Sequence, residues 1–335
     1  MADLLTRLLG ERDWLLADGA TGTTLFNMGL SAGDAPELWN ADHPDRIREL
    51  YRGAVEAGSD LFLTNSFGAN AARLKLHDAQ GRVGELNRLA AEIGREIADA
   101  AGRPVVVAGS VGPTGEIMAP MGALSHEDAV EIFHEQAEGL KAGGADVLWV
   151  ETISAGEEMK AAAEAFALAE MPWAGTMSFD TAGRTMMGLT APQVARLMAR
   201  LPNPPIAFGA NCGVGASDLL RTVLGFGDVT LPVIAKGNAG IPKYVDGHIH
   251  YDGTPELMAD YAILARDAGA RIIGGCCGTT PDHLRKMRAA LEGRPKGPPP
   301  SLDEIATRLG GFSSESDGTG ETKAPERRGR RRARA

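Results

Sequence analysis

The chain has 335 residues, 44% of them apolar, with a net charge of −10 and three cysteines. That length allows one large domain or two ordinary ones with an ample core, and the acidic balance argues against nucleic-acid binding by the folded body. No apolar run approaches the roughly 18 residues of a membrane span, the N-terminus lacks a signal-peptide pattern, and so few cysteines suit a reducing compartment; a cytoplasmic protein with no membrane contact is expected.

Taken in chain order, short β-like runs alternate with longer helical ones. The first strand is predicted over 14–18 and runs into the small-residue loop Gly19-Ala20-Thr21-Gly22-Thr23. A helix over 44–58 puts Ile47, Leu50, Tyr51 and Ala54 on one face, and a second strand spans 61–65. Leu86, Leu89, Ile93 and Ile97 recur at helical spacing between 80 and 101. The third strand, 105–109, precedes Pro113-Thr114-Gly115, and Ser125 is placed to cap the helix that follows. Strand four, 147–151, leads to a helix over 155–170, and strand five, 173–179, to one over 192–201. Strand six, 206–212, leads to a helix from 216, and strand seven, 232–236, opens a long polar loop that reaches Gly253. A helix over 255–269, an eighth strand over 272–274 and a helix over 281–291 complete the series.

Eight β-then-α units in succession predict the α/β class, as a single (β/α)8 TIM barrel over 1–294. An open doubly wound sheet is the alternative. Gly19-Ala20-Thr21-Gly22 lacks the third glycine of a dinucleotide fingerprint, and no Gly-Lys-Ser/Thr phosphate loop occurs. From 295 the composition changes to Pro, Gly and Ser, and then to the basic run 327–334. This stretch, 295–335, reads as a disordered, solvated tail. Its sharper reading is a weak anchor for an acidic partner or nucleic acid.

In a barrel the reactive groups sit at the carboxyl ends of the strands. Here those ends carry Asp18, Asn65, Ser110, Glu151, Asp180, Asn211 with Cys212, Asn238, and Cys276 with Cys277. Strands six and eight are both even-numbered, so Cys212 and the vicinal pair can converge. Adjacent strand residues point to opposite faces, so Cys276 and Cys277 can face one ion only where the backbone is distorted. Gly274, Gly275 and Gly278 supply that freedom. Three thiolates suit zinc, and the absence of a fourth ligand leaves an open position, the mark of a catalytic site. Three thiolates on a divalent ion leave one net negative charge. Such a zinc is a poor activator of water, but it still holds an incoming thiol as thiolate. The site is read as one that alkylates a thiol.

The bland readings stand beside this. A lone buried cysteine is a small core hydrophobe, and His248 and His250 in a polar loop read as solvated. Asp18 and Glu151 are candidates to hold an ammonium group, and the N–H groups of Gly19 to Thr21 a carboxylate. The alternative for the acids is a turn cap and a buried ion pair.

Asp18-Gly19-Ala20-Thr21-Gly22-Thr23, Glu151-Thr152, Asn211-Cys212 and Gly274-Gly275-Cys276-Cys277-Gly278-Thr279-Thr280-Pro281 resemble the motifs of zinc-dependent homocysteine S-methyltransferases. The resemblance covers residues 10–293. It implies a (β/α)8 barrel with Zn2+ on Cys212, Cys276 and Cys277, homocysteine as the fourth ligand and methionine as product. It further implies that Asp18 and Glu151 bind the homocysteine amino group, that the backbone at Gly19 and Ala20 binds its carboxylate, and that Asn211 belongs to the substrate site. The implied partners are homocysteine and a small methyl donor, betaine or a similar onium compound. Betaine–homocysteine methyltransferases hold that cation with aromatic side chains, whereas this chain has Thr152 after Glu151 and Gly68 after Phe67. The segments 112–114, 180–185 and 238–242 look more like the homocysteine module of cobalamin-dependent methionine synthase. The alternative is therefore a homocysteine-activating subunit that takes its methyl group from a separate corrinoid protein. Two rivals come from other classes. One is a non-catalytic zinc or thiol sensor. The other is an aldolase-like lyase with core cysteines and Lys236 as its Schiff-base amine.

Overall fold

The computed structural model describes residues 3–180, 182–245 and 248–320. Eight parallel strands form one ring, with helices packed around it. They are β1 (Leu15–Leu16), β2 (Leu61–Leu63), β3 (Val106–Val111), β4 (Val147–Ile153), β5 (Trp173–Met177), β6 (Phe208–Cys212), β7 (Val233–Gly237) and β8 (Ala270–Gly275). Each pairs with its sequence neighbour from β2 to β8, and β8 returns to β1. The fold is the expected TIM barrel. Its strands are buried on both faces, which is why they read as continuous apolar runs rather than alternating ones.

The join between β1 and β2 is made largely by side chains. The Asp60 N–H donates to Leu16 O at 2.7 Å. The Asp60 carboxylate accepts the Leu16 N–H at 2.9 Å, and the Asp18 carboxylate accepts the Leu63 N–H at 2.8 Å. This explains why β1 is shorter than the predicted 14–18: carboxylates replace part of its ladder.

Two cores result. One lies between strands and helices. The other fills the barrel, where Trp149 packs among the small residues Ala17, Ala108 and Ala174. Leu5 and Leu8 of the N-terminal helix Leu4–Glu11 belong to this inner core and plug its lower end. Asp3 caps that helix, accepting the Thr6 N–H at 2.8 Å. The upper end is left to the βα loops.

Two segments depart from the sequence reading. The polar loop after β7 contains an antiparallel hairpin, Pro242–Val245 with His248–Tyr251. Tyr244, Val245, Ile249 and Tyr251 give it strand propensity. The larger correction concerns the tail. Residues 295–320 do not form a structureless extension: a helix, Leu302–Leu309, is capped by Ser301 and buries Ile305 and Leu309. Beyond it the chain straps over the helix Ala216–Gly225. Ser217 Oγ donates to Gly310 O at 2.7 Å, the Ser313 N–H to Asp218 at 2.9 Å, and Arg221 to Ser314 O at 2.7 Å. The Arg221 guanidinium also lies 4.6 Å from the Phe312 ring centroid. The physical reason is apolar burial, which a composition rich in Pro, Gly and Ser obscured. The basic run at 327–334 lies outside the described residues. Among the described residues, no helix is long and apolar enough to cross a membrane.

The N-terminal plug gives a direct test. Leu8→Ala removes a fully buried side chain, and the loss expected is about 2–5 kcal/mol in denaturant unfolding. Zinc content of the folded variant should be unchanged, because the plug lies at the opposite end from the cysteines.

Candidate active site

The sulfur atoms of Cys212, Cys276 and Cys277 lie within 4.8 Å of one another. The register explains how. Cys212 at the end of β6 pairs with Gly237 of β7, and Gly237 pairs with Gly275 of β8. The strand ladder ends there. The Cys276 N–H still donates to Gly237 O at 2.7 Å, but the Thr279 N–H turns back to Cys276 O at 3.1 Å. Gly278 completes this turn with φ +78°. The turn brings both sulfurs of the vicinal pair to one side, the distortion their adjacency requires. A Cβ on Gly275 would lie 2.2 Å from Thr279 Oγ1, so only glycine fits the bend.

On the other side, Cys212 itself adopts φ +61° and Thr152 φ +62°. Non-glycine residues in this region store strain of about 1–2 kcal/mol each. Two buried asparagines hold them. Asn211 accepts the Thr152 N–H at 3.0 Å and donates to Thr152 Oγ1 at 2.8 Å. The same amide nitrogen lies 3.9 Å from Cys276 Sγ. Asn238 donates to Gly213 O at 2.8 Å, accepts the Cys277 N–H at 3.1 Å, and points its amide nitrogen at Cys212 Sγ at 3.7 Å.

Crowding suppresses ionisation of the thiols. For Cys212, the hydrogen bond with Cys276 pulls the pKa down, but Cys277 and burial outweigh it and push it up to about 11. For Cys277, the bond with Cys212 lowers it, while Cys276 and burial push it up to about 12. Cys276 is raised as well, first by its hydrogen bond with Cys212. A divalent cation reverses this balance, since a coordinating thiol is deprotonated outright. Soft sulfur donors in a compact cluster, with amide N–H groups aimed at them, fit zinc.

Beneath the cluster lies a charged pocket. Asp18 and Lys236 form an ion pair, both buried. The Ser110 hydroxyl donates to Glu151 at 2.6 Å. Burial raises the Glu151 carboxyl, with Lys236 and Ser110 working against it. Burial alone would lower the Lys236 ammonium, but Asp18 and Glu151 hold it above its ordinary value.

A family model described as homocysteine S-methyltransferase matches residues 15–291. The chain belongs to the homocysteine S-methyltransferase family. It is thus a methyltransferase. The methionine synthases of Mycobacterium tuberculosis and Mycobacterium leprae are each 30% identical to it over 294 residues. That is 83% of this chain but 24% of theirs, so the chain spans about a quarter of the length of these relatives. The metallated form of the Escherichia coli homocysteine methyltransferase MmuM superposes with a TM-score of 0.69 at 28% identity, covering 86% of this chain and 99% of that one.

Within this family member the structure gathers most of the residues singled out from sequence. The three cysteines converge, and Asp18 and Glu151 share one buried pocket beside them. Asn211 is engaged with Thr152 and Cys276. The Ala20 N–H donates to Thr279 O at 3.0 Å, so it is already engaged. The lyase rival fails on Lys236: an ammonium paired with Asp18 is not a free amine nucleophile. Sequence reading placed Asn238 only at a strand end and did not identify Tyr251, whose hydroxyl hydrogen-bonds with the Cys277 thiol. Only the folded hairpin brings that ring to the sulfurs. The side chains of His248 and His250 lie outside the described residues.

Asn238 offers the sharpest check on how the cluster is held. Asn238→Ala should leave the barrel folded and weaken zinc binding by about 10–100-fold. Competition against a chromogenic chelator measures it.

Proposed function

We propose that this chain transfers a methyl group to the sulfur of homocysteine, forming methionine, with zinc held by Cys212, Cys276 and Cys277. The observation that carries the reading is the three-sulfur cluster set directly beside the Asp18 and Glu151 pocket at the barrel mouth. Zinc, when bound, would take the incoming thiol as thiolate at neutral pH and leave its sulfur nucleophilic. The chain's own residues do the rest. Asp18 and Glu151 hold the ammonium group, and the N–H groups of Gly19 and Thr21 face the carboxylate, Ala20 being engaged by Thr279. Fixing both ends of the amino acid aligns the sulfur with the donor methyl carbon. The new sulfur–carbon bond forms as the carbon–onium bond breaks, and the leaving group departs with that electron pair as a neutral amine or thioether.

A small onium donor such as betaine is the reading preferred here. Tyr251, whose hydroxyl reaches Cys277, is an aromatic residue near the sulfurs that a cationic donor could pack against. MmuM, which this chain covers almost end to end, is itself a homocysteine methyltransferase. A second reading has its own support. Ile117, Met121, Met186, Met187 and Ile241 are exposed on the loops after β3, β5 and β7, and Phe26 on the short helix Gly22–Asn27 after β1, around the mouth. An apolar rim of this kind suits a docking macromolecule, and the mycobacterial relatives named methionine synthase are about four times longer. On that reading a separate corrinoid protein delivers the methyl group.

A methionine-formation assay comparing betaine, sulfonium donors and methylcobalamin separates the two. Turnover with an onium donor is expected, and turnover with methylcobalamin alone favours the second reading. Cys276→Ala should lose zinc and methionine formation together. Full activity in a metal-free Cys276→Ala protein sinks both.

A further inference from the structure

Lys236 is the least explained group in the pocket. It is 2% exposed, on β7, in register with Asn211 of β6 and Gly274 of β8. Its ammonium contacts the Asp18 carboxylate and lies 5.9 Å from the centroid of the Trp149 ring. Glu151 is the second carboxylate that acts on it. A buried lysine is costly unless its charge is matched, and so is a buried carboxylate. Here two carboxylates share one lysine. An isolated structural ion pair would need only one of each.

We infer that Lys236 is a positioning residue for substrate selection: it is a built-in counter-charge that leaves Asp18 and Glu151 with one unmatched negative charge, suited to the single ammonium of an amino-acid thiol. The inference rests on the reading that these two acids face the amino group of homocysteine. Without the lysine, the Asp18 oxygen that it holds loses its partner beside a second acid, Glu151, and Asp18 is no longer fixed in place. The substrate ammonium then loses a fixed acceptor. With the lysine, Asp18 is held in position, and a thiol without an amine leaves the two acids without the cation they would share. Lys236 thus selects a zwitterionic amino acid over a simple thiol acid without itself offering a ligand to the cluster, although its strand pairs with Asn211 and Gly274.

The test is calorimetric titration of zinc-loaded full-length protein with homocysteine and with 4-mercaptobutanoate, its analogue without the amine. Wild-type protein should prefer homocysteine by at least about ten-fold, the scale of one hydrogen bond to a charged group. Lys236→Met should lose most of that preference, with zinc content and affinity for the analogue unchanged. Lys236→Gln, which keeps a polar group against Asp18, should do the same and serves if the Met variant does not fold. A wild-type preference retained in either variant overturns the inference. So does an equal loss for both ligands, which marks Lys236 as barrel packing alone. A wild-type protein that binds the two thiols equally fails at the earlier step instead, the assignment of Asp18 and Glu151 to the amino group.

Discussion

The Asp18 carboxylate joins the two halves of this molecule. One of its oxygens accepts the Leu63 N–H at 2.8 Å across the gap between β1 and β2. The other holds Lys236 of β7. Its backbone carbonyl accepts the Gly275 N–H at 2.9 Å, one residue before the vicinal cysteines. A single residue therefore closes the ring, anchors the charged pocket and fixes the strand that presents the sulfurs. Barrel closure and the geometry of the charged pocket are not separable here. Any shift at the β1–β2 join is passed directly to the charges below the cluster.

The cluster itself is a point where local preference is overruled. Cys212 and Thr152 both sit at positive φ, and three thiols crowd together although each raises the pKa of another. Such violations persist only where surrounding structure holds them. Asn211 and Asn238 do so, each bridging strand ends that are distant in sequence. The arrangement is preorganised for a cation, because only a cation relieves the mutual suppression of the thiols. The bend at Gly275 and Gly278 brings the sulfurs of two neighbouring residues to one side.

Much of this was legible before any coordinates. Helical spacing of Ile47, Tyr51 and Ala54, or of Leu86, Ile93 and Ile97, anticipated faces that are buried against the barrel. The two cysteines among glycines announced a bent strand end. The tail was misread because Pro298 to Pro300 and the later serines dominate its composition, and yet Ser301 followed by Glu304 is a helix-capping signal. Ile305, Leu309 and Phe312 were too few to register as an amphipathic face, and became one only against the helices Ala216–Gly225 and Pro255–Asp267. Tyr251 carried no signal at all, since its importance depends on where a hairpin folds.

By itself, then, the sequence determined the barrel, the family and the three cysteines at strand ends, because strand and helix periods and residue chemistry are local properties of the chain. The three-dimensional structure alone decided the charge state of the pocket and the support of the sulfurs. Asp18 and Lys236 are 218 residues apart, and no local pattern says that they meet. Their pairing follows from ring closure, which sets β1 and β7 on either side of β8 and turns three separately plausible residues, Asp18, Glu151 and Lys236, into one coupled site.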